Sequence, residues 1–252
     1  MARTIDLNAD AGESFGRWKL GHDEELFPLL SSVNLATGFH AGDPRVMLRS
    51  VQLAKKHGVA VGAHPGFPDL VGFGRRDLAL SPEEAYTDVL YQIGALSAFL
   101  KLEGVPLHHV KPHGALYLRM LKDAELARAV AQAVKDYDPE VPLVLLGGTL
   151  MEEAAQAVGA RYVREAFPDR AYLSDGRLAP RSMEGALIRD PKRAAERAVQ
   201  MVLEGEIEAL DGGRVRVRAE TLCVHGDNPE AVAIARAVRE ALVAHGVEIK
   251  AF

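Results

Sequence analysis

The stretch Thr4-Ile5-Asp6-Leu7-Asn8-Ala9-Asp10-Ala11-Gly12-Glu13 carries the pattern that decides the fold. Its first half alternates polar and apolar residues as a β-strand does, and its second half is a polar turn that contains glycine. Short runs with strand character recur along the rest of the chain. They predict strands at 4–8, 33–36, 59–63, 107–111, 142–146, 161–164 and 221–224.

Helical segments separate these strands, and several begin with a capping residue followed by proline. The pairs that show this device are Asp43-Pro44, Ser81-Pro82, Asp190-Pro191 and Asn228-Pro229. A proline at the first helical position lacks only an N–H that would find no helical partner. The segment after Ser81 predicts an unusually long helix that runs to about Leu102 and is stopped by Gly104.

Alternating strands and helices are typical of a parallel sheet with helical crossovers. We therefore predict one α/β domain over residues 1–252, a (β/α) barrel with seven strands that resembles a TIM barrel. An open doubly wound sheet is the alternative fold. The stretches 165–189 and 204–217 are interpreted as insertions within this domain.

Composition narrows the class of protein. With 48% hydrophobic and 26% charged residues, the chain has the profile of a globular protein. A formal charge of −5 gives no reason to expect binding to nucleic acid or to an anionic membrane, and no apolar run is long enough to span a bilayer. The single cysteine, Cys223, excludes an internal disulfide and is expected to be a buried, inert thiol. Without a signal-peptide pattern, we expect a cytoplasmic protein.

Polar turns follow six of the seven predicted strands. In a parallel barrel the carboxyl ends of all strands meet on one face, where active sites lie. The residues expected there are Asp10 and Glu13 after the first strand, His40, His64, then Lys111 and His113, then Glu165 and Arg170, and finally His225. A lone buried histidine is usually structural, but four of them at strand ends favour a functional site. Asp43 and Asn228 are at least as well explained as helix caps, and His108 and His109 as structural residues. Asp6 is expected either in the barrel interior or paired with Lys111.

Two chemistries fit this set of residues. Asp10, His40 and His64 form a common ligand set for a divalent metal ion that activates water. Alternatively, carboxylates and Lys111 act as acid, base and oxyanion clamp without a metal. The sequence leaves both open. It lacks the Gly-x-x-x-x-Gly-Lys-Ser/Thr loop, so it shows no familiar pocket for ATP.

Several long motifs, in order, resemble those of the LamB/YcsF family, whose members are 5-oxoprolinase A subunits. They are residues 6–13, 34–44, 62–69, 110–117, 165–170, 181–182 and 224–227. The resemblance implies a barrel related to that of glycoside hydrolases and deacetylases. It also implies an ATP-dependent hydrolase that opens the lactam of 5-oxo-L-proline to give L-glutamate, in a complex with the B and C subunits.

The resemblance also suggests roles for the residues of the expected site. The catalytic candidates are Asp10, Glu13, His64, Lys111 and His113. The candidates for substrate binding are Asn8, His40, Tyr117, Glu165, Arg170, Arg181 and His225. ATP with Mg²⁺ is expected to be handled through the partner subunits. The competing hypotheses are a stand-alone metal-dependent deacetylase or amidase and a non-catalytic scaffold within a larger complex.

Overall fold

The computed structural model describes residues 3–225 and 230–252, and the strands in this part of the chain fall into a large parallel sheet and a small hairpin. In chain order they are β1 (Arg3–Ala11), β2 (Ser32–Ala36), β3 (Ala60–His64), β4 (Leu107–Val110), β5 (Leu143–Leu146), β6 (Tyr162–Ala166), β7 (Glu206–Glu208), β8 (Arg214–Arg216), β9 (Thr221–Val224) and β10 (Val247–Ile249).

The α-helices surround the large sheet and connect its strands. They are α1 (Asp23–Leu26), α2 (Pro44–His57), α3 (Pro82–Glu103), α4 (Gly114–Met120), α5 (Ala124–Tyr137), α6 (Leu150–Val158), α7 (Pro191–Leu203) and α8 (Ala231–Ala244), and a 3-10 turn at Phe27–Leu29 follows α1. Within the described ranges, none of these helices combines the length and apolarity that crossing a bilayer requires.

Seven parallel strands close into a barrel. The order is β1-β2-β3-β4-β5-β6-β9, and β9 pairs back onto β1, with Asn8 opposite Cys223. These are the seven predicted strands, so the barrel is confirmed and the open doubly wound sheet is wrong. The closure brings every carboxyl end of these strands to one face of the molecule.

The predicted helix starts are present where the structure describes them. The Asp43 carboxylate accepts hydrogen bonds from the backbone N–H groups of Arg45 and Val46, which confirms it as the N-cap of α2. Ser81 forms a capping box with Glu84, and α3 ends at Gly104 in the left-handed conformation. Asn228 lies outside the described residues.

Two features were not predicted. The insertion 204–217 contains an antiparallel hairpin of β7 and β8, and β10 pairs in parallel with the start of β1, with Arg3 opposite Val247. All three strands have only three residues, and β8 alternates two exposed arginines with one buried valine. Such short segments carry little periodicity that a sequence analysis could detect.

The interior of the barrel is polar along β1. Its apolar side chains, such as Leu7, belong to the main hydrophobic core, whereas Asp6, Asn8 and Asp10 alternate with them and lie on the opposite side of the strand. The Asp6 carboxylate accepts hydrogen bonds from the hydroxyls of Ser31, Ser32 and Thr221. Asp6 is therefore an interior residue, and the alternative pairing with Lys111 is wrong.

Candidate active site at the carboxyl ends of the strands

A buried ammonium group occupies the centre of the site. The Lys111 side chain follows β4 and is only 3% exposed. Its Nζ lies 3.0 Å from Asp10 Oδ1, 3.0 Å from Glu165 Oε1 and 2.9 Å from Cys223 Sγ. The three partners come from β1, β6 and β9. Strands distant in sequence thus place two carboxylates and a thiol around one cation. We call this group of Lys111, Asp10, Glu165 and Cys223 the lysine cluster.

The two carboxylates around Lys111 differ in their tendency to hold a proton. Burial would raise the pKa of Asp10, but His64 and Lys111 bring it well below its usual range. Burial raises the pKa of Glu165, and the nearby ammonium does not fully offset this effect. Burial would lower the pKa of Lys111, but Asp10 and its other neighbours raise it well above its usual range. Asp10 and Lys111 therefore form the ion pair, and Glu165 is the carboxyl that more readily accepts a proton.

A hydrogen-bonded polar layer supports this cluster from below. Asn34 on β2 donates from Nδ2 to Asn8 Oδ1 at 2.8 Å and to Asp10 Oδ1 at 2.9 Å. Asn34 Oδ1 lies 2.6 Å from His109 Nε2. Asn8 in turn donates to Thr221 at 2.6 Å and to Glu165 at 3.3 Å. This network fixes the orientation of both carboxylates that contact Lys111.

Beside the lysine cluster, four buried residues form a second group, the Glu-His cluster: Glu13, His40, His64 and His113. One potential ligand atom from each lies within 4.8 Å of all the others, so this cluster could bind a metal ion. His64 Nε2 is 3.0 Å from His113 Nδ1, and Glu13 Oε1 is 3.8 Å from His40 Nε2 and 3.9 Å from His113 Nδ1. Asp10 touches the edge of this group, with Oδ2 at 3.4 Å from His64 Nε2.

The rings of the Glu-His cluster are held in place by backbone contacts and by close packing. His64 Nδ1 lies 2.6 Å from the carbonyl oxygen of Lys111, and His113 Nε2 lies 2.8 Å from that of Phe73. A Cβ atom at Gly74 would lie 2.7 Å from both His40 and His113, and this residue has φ = +63°. Burial holds the pKa of His40 well below its usual range and lowers that of His113 to about 3. These two imidazoles are therefore neutral.

A third group lies beyond β6. Asp169 Oδ2 accepts from the backbone N–H of His225 at 3.1 Å and lies 2.8 Å from its Nδ1. Arg170 is buried, donates to the carbonyl of Ala179 at 2.7 Å, and has its pKa lowered to about 10 by burial and by the nearby charge of Arg181. Arg181 itself is exposed.

Several polar atoms of the site are buried without a hydrogen-bond partner among the described residues. They are both ring nitrogens of His40, Tyr117 Oη, Glu165 Oε2, Asp169 Oδ1 and Arg170 Nε. Buried polar groups are almost always hydrogen-bonded, so each such atom requires an explanation. All six belong to residues at the carboxyl ends of the strands, which is the arrangement expected of a ligand-binding site.

Most of the residues predicted for the site do converge on this face. Asp10, Lys111 and Glu165 lie in the lysine cluster, Asn8 supports it, and the aromatic ring of Phe167 bridges Tyr117 and His225. The predicted metal set of Asp10, His40 and His64 differs from the group that the structure brings together. In place of Asp10 this group contains Glu13 and His113. Lys111 and Asn34 engage one oxygen of Asp10.

Sequence analysis missed several residues of the site. Cys223 is buried as predicted, but it contacts Lys111 directly. Asn34 and Thr221 lie within strands, and Asp169 belongs to the motif at 165–170. His109, expected to be structural, supports the site through its contact with Asn34. The signal that could have revealed the strand residues is their place opposite polar residues of β1, as in the Asp10–Asn34 pair.

Gly12-Glu13-Ser14-Phe15-Gly16 has the Gly-x-Ser-x-Gly spacing of a nucleophile elbow, but it forms a different structure. The Ser14 hydroxyl donates to the carbonyl of Leu20 at 3.2 Å and accepts from its N–H at 3.0 Å. The segment leads into a loop rather than a sharp strand-to-helix turn. Ser14 is thus engaged in closing that loop.

Fold and site together define a parallel β/α barrel protein with buried ionisable groups at the strand ends. Residues 5–252 match the LamB/YcsF family. A relative from Thermus thermophilus, named as the A subunit of 5-oxoprolinase, is 69% identical over 248 residues, which make up 98% of this chain and 99% of the relative. A relative of the same name from Pyrococcus furiosus is 53% identical over 97% of this chain and 96% of its own. The chain belongs to the LamB/YcsF family.

Solved structures agree with this assignment. The crystal structure of a lactam utilization protein from Thermus thermophilus superposes with a TM-score of 0.96 at 67% identity and covers 99% of this chain and all of its own. A family 4 carbohydrate esterase from Streptomyces lividans superposes with a TM-score of 0.52 at 10% identity, over 98% of this chain and 91% of its own. The second likeness shows that the barrel fold is shared with deacetylase-type barrels.

Proposed function

We propose that this chain carries out the ring-opening step of an ATP-dependent 5-oxoprolinase, which converts 5-oxo-L-proline to L-glutamate, and that it works in a complex with the B and C subunits. The observation that carries the proposal is the buried Lys111, held between Asp10 and Glu165, whose pKa values are displaced in opposite directions. Two carboxyls with separated pKa values are typical of acid–base catalysis. The names of the close relatives support this choice of reaction.

The chemistry explains why ATP enters. A five-membered lactam is a resonance-stabilised amide, and its hydrolysis to glutamate needs an energy source. Phosphorylation of the amide oxygen would convert the ring into a better electrophile. We assign ATP and its Mg²⁺ to the partner subunits, because this sequence lacks the usual phosphate-binding loop.

In this proposal water adds to the carbon of the phosphorylated ring, the ring C–N bond breaks as its nitrogen takes up a proton, and the resulting acyl phosphate is hydrolysed to glutamate and phosphate. Lys111 stabilises the negative charge that develops on the added oxygen. Glu165 transfers the proton, since a raised pKa matches it to acid–base work near neutral pH better than the ion-paired Asp10. Arg170 binds the substrate carboxylate, assisted by Arg181 at the entrance.

The remaining candidates position the ring and its attacking water around these groups. They are Asn8, His40, Tyr117 and His225 in binding the substrate, and Asp10, Glu13, His64 and His113 in holding charge and protons near the reacting carbon.

The test is glutamate release from 5-oxoproline and ATP by this chain together with the B and C subunits. We expect no release when this chain is omitted, and at least about a hundredfold slower release with Glu165→Gln, which removes an acid–base group. Glu83→Gln, at an exposed glutamate in the first turn of α3, is the matched control and should leave the rate unchanged. ATP hydrolysis by this chain alone would show that the division of labour is wrong.

A second candidate is a stand-alone metal-dependent amidase or deacetylase, which the Glu-His cluster favours. ATP-independent amide cleavage by the isolated chain, abolished by a chelator, would support it over the first. A scaffold role predicts instead that Glu165→Gln leaves the activity of the complex intact. Within the first proposal we also retain a cytoplasmic location, where ATP is supplied.

A further inference from the structure

The protonation of two histidines in the Glu-His cluster follows from their contacts. His64 Nδ1 lies 2.6 Å from the Lys111 carbonyl oxygen, and His113 Nε2 lies 2.8 Å from the Phe73 carbonyl oxygen. A carbonyl oxygen only accepts hydrogen bonds, so each of these nitrogens carries the ring proton. The opposite nitrogens, His64 Nε2 and His113 Nδ1, are therefore the ones with a lone pair in a neutral ring.

These two lone pairs point at each other. His64 Nε2 and His113 Nδ1 are 3.0 Å apart, a distance that brings two acceptors into contact. The arrangement is repulsive unless a cation lies between or beside the two atoms. The cation is either a proton on one ring or a metal ion bound to both.

The surroundings distinguish between these two cations. A proton on His64 Nε2 would have Asp10 Oδ2 as its neighbour at 3.4 Å, but the Glu13 carboxylate also converges here, with Oε1 3.9 Å from His113 Nδ1. Ligand atoms of a tetrahedral zinc ion with bonds near 2.1 Å lie about 3.4 Å apart. The observed separations of 3.0 Å and 3.9 Å bracket this value. Each ring also donates a hydrogen bond from its far nitrogen to a backbone carbonyl oxygen, which is the usual outer contact of a metal-binding histidine.

His40 belongs to the group but cannot join the same ligand set as it stands. Its ring is parallel to that of His113, with centroids 3.7 Å apart and 3° between the planes. Imidazole binds a metal in the plane of its ring, so two stacked rings cannot both direct a lone pair at one ion. Both ring nitrogens of His40 are nevertheless buried and without a hydrogen-bond partner among the described residues.

We propose that His64 Nε2, His113 Nδ1 and the Glu13 carboxylate bind one divalent transition-metal ion of the zinc class, with an open position that faces His40. Two histidines, one carboxylate and an open position form a ligand set known for catalytic zinc. His40 hydrogen-bonds the water or substrate oxygen in that position. Asp10 stays outside the ligand set, as the partner of Lys111. This site does not depend on the proposed lactam chemistry, because its readout is metal binding.

The test uses the whole chain, stripped with a chelator and then titrated with Zn²⁺ or Co²⁺. We expect about one ion per chain by elemental analysis and, with Co²⁺, the intense visible absorption of a four-coordinate site. Glu13→Gln, His64→Gln and His113→Gln should each weaken binding at least about tenfold. His40→Gln should still bind one ion, and so should the control His245→Gln, which alters an exposed histidine at the end of α8.

A second measurement avoids reliance on variants that fail to fold. In the wild-type chain, Zn²⁺ should shift the ¹⁵N resonances of His64 Nε2 and His113 Nδ1 strongly and those of His40 only weakly. Absence of stoichiometric binding in the wild type would overturn the proposal in favour of a shared proton. Loss of binding in His40→Gln with a native circular dichroism spectrum would overturn the three-ligand assignment. Absence of 5-oxoproline turnover by the wild-type complex, with metal binding intact, would count against the proposed function alone.

Discussion

Lys111 carries a buried charge, which costs folding free energy unless it is paired and which is used in the proposed reaction. A buried ammonium is tolerated because Asp10 and Glu165 lie 3.0 Å away on either side, and removal of one member leaves the others uncompensated. The barrel supplies these partners from strands that are separated by more than a hundred residues in the case of Asp10. The position of the charge therefore depends on the closure of the whole barrel.

Replacement of Lys111 by methionine should lower the rate of 5-oxoproline turnover by the complex at least about a hundredfold, since the proposed oxyanion loses its charged partner. Steady-state kinetics measure the effect. Lys56→Met, at an exposed position in the last turn of α2, should retain the wild-type rate. Equal rates for both variants would remove Lys111 from the mechanism.

Cys223 should be unreactive toward thiol reagents in the folded chain. Burial raises its pKa well above the ordinary value, so almost no thiolate is present at pH 8, and the side chain is inaccessible. Titration with a disulfide reagent should find no reactive thiol in native protein and one in guanidinium. Rapid modification without unfolding would contradict the described burial.

At the residue scale, sequence reasoning succeeded where chemistry coincides with the end of a strand. Lys111, His113 and Glu13 were correctly located at the strand ends because polar residues follow an apolar run. Asn34 was missed, and the contact of His109 with it was not predicted, because a residue within a strand faces either the polar interior or the apolar core, and only the register with the neighbouring strand decides which.

At the scale of single elements, the contact between β3 and β4 depends on one glycine. Gly62 lies opposite His109, and the register shifts between Val61 and Gly62. A Cβ atom at Gly62 would lie 2.2 Å from His109 Nε2, the atom that contacts Asn34. The absence of a side chain on β3 is therefore what admits the imidazole of β4 into the barrel interior.

Gly62→Ala should destabilise the chain by about 1–3 kcal/mol, the usual range for overpacking a filled interior. Urea unfolding measures the change. Gly94→Ala is the matched control, because this glycine lies in the middle of α3 with nothing near its would-be Cβ, and there alanine should stabilise by about 0.5–1 kcal/mol. Equal stability of Gly62→Ala and the wild type would mean that His109 moves freely.

Asp23, at the start of α1, should make stability depend on pH. Burial raises its pKa from 3.8 to about 6, despite the hydrogen bond that it accepts from the backbone N–H of Gly12. The folded state thus favours the protonated form. Its contribution is complete below about pH 4 and is lost as the pH rises through 6.

Unfolding free energies of wild type and Asp23→Asn, compared from pH 4 to 7, measure this contribution. The wild type should lose stability relative to Asp23→Asn as the pH rises. Asp43 provides a contrast of opposite sign: its backbone hydrogen bonds outweigh burial and lower its pKa, so its contribution is lost as the pH falls. If Asp23→Asn and Asp43→Asn changed the pH dependence of stability with the same sign, the assignment of opposite pKa shifts would be wrong.

At the scale of the whole molecule, β1 is the seam of the barrel. It pairs with β2 along one edge, with β9 along the other edge, and with β10 at its beginning. The repeated order of strand and helix made the barrel predictable. The hairpin of β7 and β8 and the addition of β10 were not, because short strands depend on tertiary contacts rather than on local pattern.

We expect residues 1–252 to unfold as one cooperative unit, because barrel closure links the first strand to the last ones. Differential scanning calorimetry should show a single transition whose calorimetric and van't Hoff enthalpies agree. Two separate transitions would show that the insertion 165–189 or the hairpin forms an independent unit.

The seam has a consequence for how the protein is made. β1 leaves the ribosome before the other strands of the barrel, but its partner β9 is synthesised about 200 residues later, which at ordinary translation rates takes roughly 10–40 s. During that interval one edge of β1 has no permanent partner, although its polar side chains already need one. Newly synthesised chains should therefore depend on chaperones that shield a strand edge, and a circular permutant that begins at α2 should move the unpaired edge from β1 to β3, because β2 is then made last.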